Sequence, residues 1–160
     1  MRELVAPLLL LAVGFNGLLA GVSLNKTTVE LPAGRRIGPL AFSEFSRAAD
    51  LGNGRILYPL LGLVSPSLIL AAGPLVLATL PSSRSLVALV VSAMVVSVAH
   101  VLTTVGAAPK MLRIGQLGSD VPALTSHYHS FQRWTSARTA LQVAALVLLL
   151  SVLAILLGGA

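Results

Sequence analysis

Four long apolar runs divide this chain. The first extends from about Leu4 to Leu24 and is broken only by Asn16 and small residues. The second, from about Ile56 to Leu80, carries no charge, and the third, from about Leu86 to Val105, has one titratable group, His100, near its end. The fourth, from about Thr139 to Leu157, is nearly pure Leu, Val and Ala. Each reaches the roughly 20 apolar residues that a membrane-spanning helix requires. None alternates with period two, as a membrane barrel strand would, so the pattern predicts an all-α chain: an integral membrane four-helix bundle in one domain over residues 1–160.

The stretches between the runs are patterned too. Residues 37–49 open with Pro39 and set Leu40, Phe42 and Phe45 among polar groups, which predicts a short interfacial helix. It is expected to end at Asp50-Leu51-Gly52-Asn53-Gly54, where the glycines favour a tight turn. Residues 121–138 read as a helix that enters the fourth run without a breaker. Pro59, Pro66 and Pro74 recur in the second run and are expected to bend it and free carbonyls along one side.

Composition agrees with this picture. Hydrophobic residues make up 56% of the 160 and charged residues 10%, against roughly 25% charged in soluble domains. A disordered chain is excluded by the same excess of apolar surface. With no cysteine, disulfides, thiolate metal sites and cysteine nucleophiles are excluded as well. The first run starts with Arg2 and Glu3, without a clear positive leader, and its apolar stretch is long for a cleaved signal. It is expected to stay as a membrane helix.

The formal charge of +6 changes meaning once its placement is seen. Lys26, Arg35, Arg36, Arg47 and Arg55 lie between the first two runs, and Lys110, Arg113, Arg133 and Arg138 between the last two. Nine of eleven basic residues and four of five acidic ones therefore share one side. The positive-inside rule puts both long connections in the cytoplasm of a multi-pass cell-membrane protein, with both termini opposite. No nucleic-acid partner is needed to explain the charge. The expected partners are the lipid bilayer and a hydrophobic small molecule, with self-association left open.

Candidate chemistry gathers at the charged end. His100 is ionisable within a membrane helix, which marks a functional candidate, although hydrogen bonding to a nearby Ser or Thr is the alternative. His127 and His129 would point about 200° apart on a helix and could share a metal only from an extended segment, with His100 as third ligand. No cofactor is expected; one histidine of the pair acting as acid or base is the preferred reading. Trp134, Arg133 and Arg138 fit interfacial anchoring, yet Arg138 stands where the apolar run begins and can also turn inward to hold an anion. Asp50, Asn53 and Arg55 form a similar polar entry to the second run, and Lys110 one at the exit of the third.

In order, these features resemble the anthrone oxygenase-like family of small four-helix membrane proteins. Gly21-Val22-Ser23, then Ala49-Asp50-Leu51-Gly52 before Arg55 and Pro59, is similar to the approach to its second helix. Thr103-Thr104 through Pro109 resembles the third-helix exit, and His129 through Arg138-Thr139 the Trp-containing approach to an Arg-Thr start of helix four. The chain departs from the family at Thr135, where an Asn commonly stands, and at Lys110-Met111, where an Asn often follows the Pro.

The resemblance implies a polyketide-type natural-product pathway and an oxidoreductase that turns an anthrone into an anthraquinone with O₂, without metal or organic cofactor. On that chemistry His127 or His129 is the expected base, and Arg138 and Lys110 hold the enolate oxygen. His100 or Tyr128 relays protons. Trp134, Asp50, Asn53 and Arg55 complete the expected substrate-binding set, while the second and fourth apolar helices hold the flat rings. The alternatives are a membrane cyclase or isomerase using the same groups, and a non-catalytic binding or scaffold protein. A channel fits least, because the runs show no polar stripe.

Overall fold

The computed structural model describes residues 2–79 and 83–158, and among them only Gly38, Ser83 and residues 117–120 lie outside helix. Leu80, the expected end of the second run, lies outside the described residues. In chain order the helices are α1 (Arg2–Asn25), α2 (Leu31–Ile37), α3 (Pro39–Ala48), α4 (Gly54–Thr79), α5 (Arg84–Gln116) and α6 (Val121–Gly158). Two π-helical turns, Lys26–Glu30 and Ala49–Asn53, join α1 to α2 and α3 to α4 without a break. The chain is therefore all-α, with four helices long and apolar enough to cross a membrane: Glu3–Ile37, Pro39–Thr79, Arg84–Ile114 and Val121–Gly158.

The expected tight turn at residues 50–54 is not there. Gly54 has helical φ and ψ, and a Cβ on it would run into the Tyr58 ring and the Ala49 carbonyl. Its glycine serves close packing inside a continuous helix, not a reversal. The reversal comes earlier, at Gly38, whose φ of 88° and ψ of 164° suit glycine alone. Pro39 then starts α3 at the position where a missing N–H costs nothing. The third run likewise does not stop near Val105 but continues through Pro109 to Gln116.

Side-chain caps fix the ends on the other half of the chain. Ser83 accepts the Leu86 amide at 3.2 Å and starts α5, and Asp120 accepts the Ala123 amide at 3.1 Å to start α6. Between α5 and α6 the chain turns at Gly118, in the left-handed region with φ 57°. As the pattern predicted, α6 runs unbroken from residue 121 into the fourth apolar run.

α1 packs against α4 and α6, and α5 against α4 and α6, so the four long helices close a ring. Along its axis the interior has three layers in the same order on every helix. At one end lies an apolar plug that includes Val5 and Leu9 of α1, Ile69 and Val76 of α4, Val90 of α5 and Leu149 of α6. At the other end a cap of Leu31, Phe42, Met111, Ile114, Tyr128 and Phe131 closes the bundle under α2 and α3. Between them lie the buried polar residues Asn16, Ser23 and Lys26, Asp50 and Ser65, Ser97 and His100, and Thr135, Thr139 and Gln142.

The outer surface stays apolar, with Leu10, Leu18, Leu63, Val95, Leu102 and Val147 all exposed. Such a surface is compatible with lipid tails, in which helices associate through close packing and interhelical hydrogen bonds. The plug is tightly filled: the cavity among Leu9, Ile69, Val90 and Leu149 is about 10 Å³, room for about one water at most. That cavity is far too small for the flat rings expected between the second and fourth apolar runs. Of the three prolines in α4, Pro66 is buried while Pro59 and Pro74 are exposed, so they do not line one common wall.

Candidate functional site

The polar layer is built from residues spaced three, four or seven apart on each helix, which places them on one face. Asn16 and Ser23 face inward from α1, Ser97, His100 and Thr104 from α5, and Thr135, Arg138 and Gln142 from α6. This short stripe answers the earlier expectation that the runs contain none. It stops at the plug, so it forms a polar layer toward one end of the bundle and not a path through it.

Two networks share the layer. In the first, Lys26 on one π-helical turn reaches Asp50 on the other, with Nζ 2.7 Å from Oδ1 and 2.6 Å from Oδ2. The same ammonium group donates to Glu30 Oε2 at 2.7 Å, and Asn25 holds the other Glu30 oxygen at 2.9 Å. Lys26 and Asp50 are both buried, and the rings of Phe42 and Phe45 lie 6.0 and 5.7 Å from the ammonium. The two carboxylates thus converge on one lysine. Ser46, also buried, stands one turn before Asp50.

In the second, the Asn16 amide donates to the Gln142 carbonyl at 3.1 Å and its oxygen accepts from Ser65 at 3.0 Å. The side-chain nitrogen of Gln142 lies 3.4 Å from both ring nitrogens of His100, and Thr104 Oγ1 lies 3.3 Å from Nε2. These contacts are at the long limit of hydrogen bonding, so a ligand can displace them without breaking a strong bond. The Thr103 and Thr104 hydroxyls also donate to the His100 carbonyl, at 2.8 and 3.0 Å.

Arg138 stands between the networks. It is half-buried, within electrostatic reach of Asp50, Tyr58 and His100, yet forms no ion pair among the described residues. Its Nε is buried without a hydrogen-bond partner, as are Thr135 Oγ1 and Gln142 Oε1 on the same face of α6. A hydroxyl, a cationic donor and an amide acceptor therefore lie in one row in that order, separated by about 4.5 and 6 Å of helical rise. Buried polar atoms normally find partners; three unpartnered ones in a row, beside an imidazole, suit a small polar face on an otherwise apolar molecule.

Of the residues expected from sequence, His100, Arg138 and Asp50 come together in the layer. The others are elsewhere. His127 is half-buried and His129 exposed, and they precede Arg138 by about 16 and 14 Å of helical rise. The helix also turns them to different sides, which removes the extended arrangement needed for a shared metal. Among the described residues no group of three or more His, Cys, Asp or Glu is placed to hold a metal ion. Tyr128 belongs to the cap, its hydroxyl donating to the Leu31 carbonyl and its ring edge-on to Phe42 with centroids 4.8 Å apart.

Lys110 is half-buried, about 15 Å along α5 from His100, too far to share an oxyanion with Arg138 beside it. Asn53 and Arg55 are exposed. Trp134 is 39% exposed and lays its ring over Gly106 of α5, where a Cβ would approach it to 2.9 Å. Sequence reasoning missed Lys26, Glu30, Asn16, Ser65, Gln142 and Tyr58. Asn16 and Gln142 did leave a signal, as isolated amides in apolar runs. The chain matches no protein-family model, no curated protein and no solved structure.

Proposed function

We propose that this protein is a multi-pass membrane enzyme that performs acid–base chemistry on a hydrophobic, enolisable substrate. The observation that carries the reading is the unpartnered Nε of Arg138 within electrostatic reach of the buried imidazole of His100. A methylene next to a carbonyl gives up a proton to His100, and the enolate oxygen accepts from Arg138. This reading moves the base from His127 or His129 to His100 and leaves Lys110 outside the site. The substrate's apolar body sits in the polar layer's wall or in lipid between helices, since the plug has no room for it.

The family resemblance favours oxidation of an anthrone-like carbon acid by O₂ as the overall reaction. The enolate passes electrons to O₂ and captures it as a peroxide at the former methylene carbon. Loss of water then leaves one oxygen as the new carbonyl and takes away the other with both methylene hydrogens. Those steps use the bound base and cation and require no further reductant. In this proposal the long connections face the cytoplasm, the termini lie opposite, and α2 and α3 rest at the membrane interface.

Oxygen uptake by membranes containing the protein, with anthrone added, tests the reaction. Uptake should fall at least about 100-fold in His100→Ala and Arg138→Gln. Exchange of the methylene hydrogens with D₂O, without oxygen uptake, would instead favour the cyclase or isomerase chemistry. Neither uptake nor exchange would leave only a binding or scaffold role.

A further inference from the structure

Arg138 keeps a bare donor although two carboxylates share its layer, and the ion pairing explains why. Both Asp50 oxygens lie within 2.7 Å of Lys26 Nζ, and Glu30 is held by the same ammonium and by Asn25. The Lys26 chain emerges from a π-helical turn, and Asp50 from the π-helical turn that faces it. Such turns are frequent at functional sites because they shift a side chain out of the regular helical row. Lys26 is surrounded by Phe42 and Phe45 and Asp50 is buried, so the pair is shielded from water and strong.

We infer that Lys26 is a positioning residue that occupies Asp50 and so keeps Arg138 open to the anionic oxygen of a flat, lipophilic ligand. The inference rests on the anion-binding role given to Arg138 above. Without the ammonium group, Asp50 is left as a buried carboxylate with Arg138 as the cation that attracts it across the layer. An unpaired buried charge is costly and takes the available partner. Arg138 would then be captured from within, and the site would lose its affinity for anions while every ligand-facing residue remained in place. The Thr135 hydroxyl and the Gln142 side-chain oxygen Oε1, both buried and unpartnered on the same row, give the ligand's neighbouring polar atoms their partners.

Trp134 is the single tryptophan of the chain and lies one turn before Arg138 on α6, so its fluorescence reports binding there. The full-length protein in phosphatidylcholine nanodiscs is titrated with 4-nitrobenzoate, and with 4-nitrobenzyl alcohol as the uncharged counterpart that corrects for partition into lipid. The wild type is expected to show saturable quenching with at least about a tenfold preference for the carboxylate. Arg138→Gln should abolish that preference, and Lys26→Met should lower it by about tenfold. The double variant Lys26→Met/Asp50→Asn should restore it to within about threefold of the wild type, since no carboxylate is left at Asp50 to capture Arg138.

Asp50→Asn alone should bind the carboxylate at least as tightly as the wild type, and this variant decides the matter if Lys26→Met does not fold. An undiminished preference in Lys26→Met, no recovery in the double variant, or loss of the preference in Asp50→Asn overturns the role of Lys26 and leaves Arg138 as the anion site. No preference in the wild type overturns both, together with the oxyanion role of Arg138 in the proposed reaction.

Discussion

Asn16 of α1 holds α6 by the backbone: its amide donates to the Gln142 carbonyl at 3.1 Å while its oxygen takes the Ser65 hydroxyl at 3.0 Å. One side chain thus joins three helices, 126 positions separating it from its partner on α6. In lipid, where apolar surfaces gain little by meeting each other, such polar contacts set which helices are neighbours.

Asn16→Leu should accordingly destabilise the bundle by about 1–2 kcal/mol, because it removes two bonds and leaves Ser65 buried without a partner. Unfolding in mixed detergent measures it. Replacing Ser65 by Ala in the Asn16→Leu background should recover part of the loss. Equal and additive losses from the two changes would show that they do not share one network.

How far the sequence could be read follows from the same residues. The four spans and the continuous helix over 121–158 were legible because apolar run length and the lack of a breaker act locally. Asn16 and Gln142 were visible as lone amides, but helical spacing says only which face a residue takes, not which helix meets it. Lys26 and Glu30 looked like ordinary loop charges. Their burial depends on the π-helical turns that fold α2 and α3 over the end of the bundle. Gly52 and Gly54 carried the usual mark of a turn, whereas the close approach of the Tyr58 ring uses the missing Cβ of Gly54 inside a helix. His127 and His129 drew attention as a pair, yet the rise of α6 carries both away from Arg138, and its rotation puts His129 on the opposite side.

The cap should loosen in Tyr128→Phe. The change removes the hydroxyl that holds the Leu31 carbonyl and leaves the ring packed on Phe42, at a cost of about 1 kcal/mol. Amide hydrogen exchange should speed up in residues 31–37 and stay unchanged in the apolar plug. Uniform acceleration along all four helices would mean that cap and bundle open as one unit.

Gly106 allows α5 and the Trp134 ring to meet. Gly106→Val should push the indole outward, because a Cβ at that position already approaches the ring to 2.9 Å. The expected readout is a shift in the emission maximum of the single tryptophan and a loss of about 1–3 kcal/mol in stability. Unchanged emission would show that the ring is not held there.

The proposed sidedness is open to a clean labelling test, since the chain has no cysteine. Single cysteines introduced at Arg36 and Ser119 should be blocked by a membrane-impermeant maleimide only after cells are opened. One at Ser85 should be blocked in intact cells. The reverse result would invert the orientation while leaving the fold untouched.

The apolar plug gives the site an electrical address. In the proposed membrane arrangement its close-packed side chains insulate His100 and Arg138 from the far compartment, so any proton exchanged with the polar layer comes from the side of the cap. Turnover would then follow the pH of that compartment alone and move little charge through the membrane field. A protein with polar residues in all four helices would in this way leave the proton gradient across its own membrane intact.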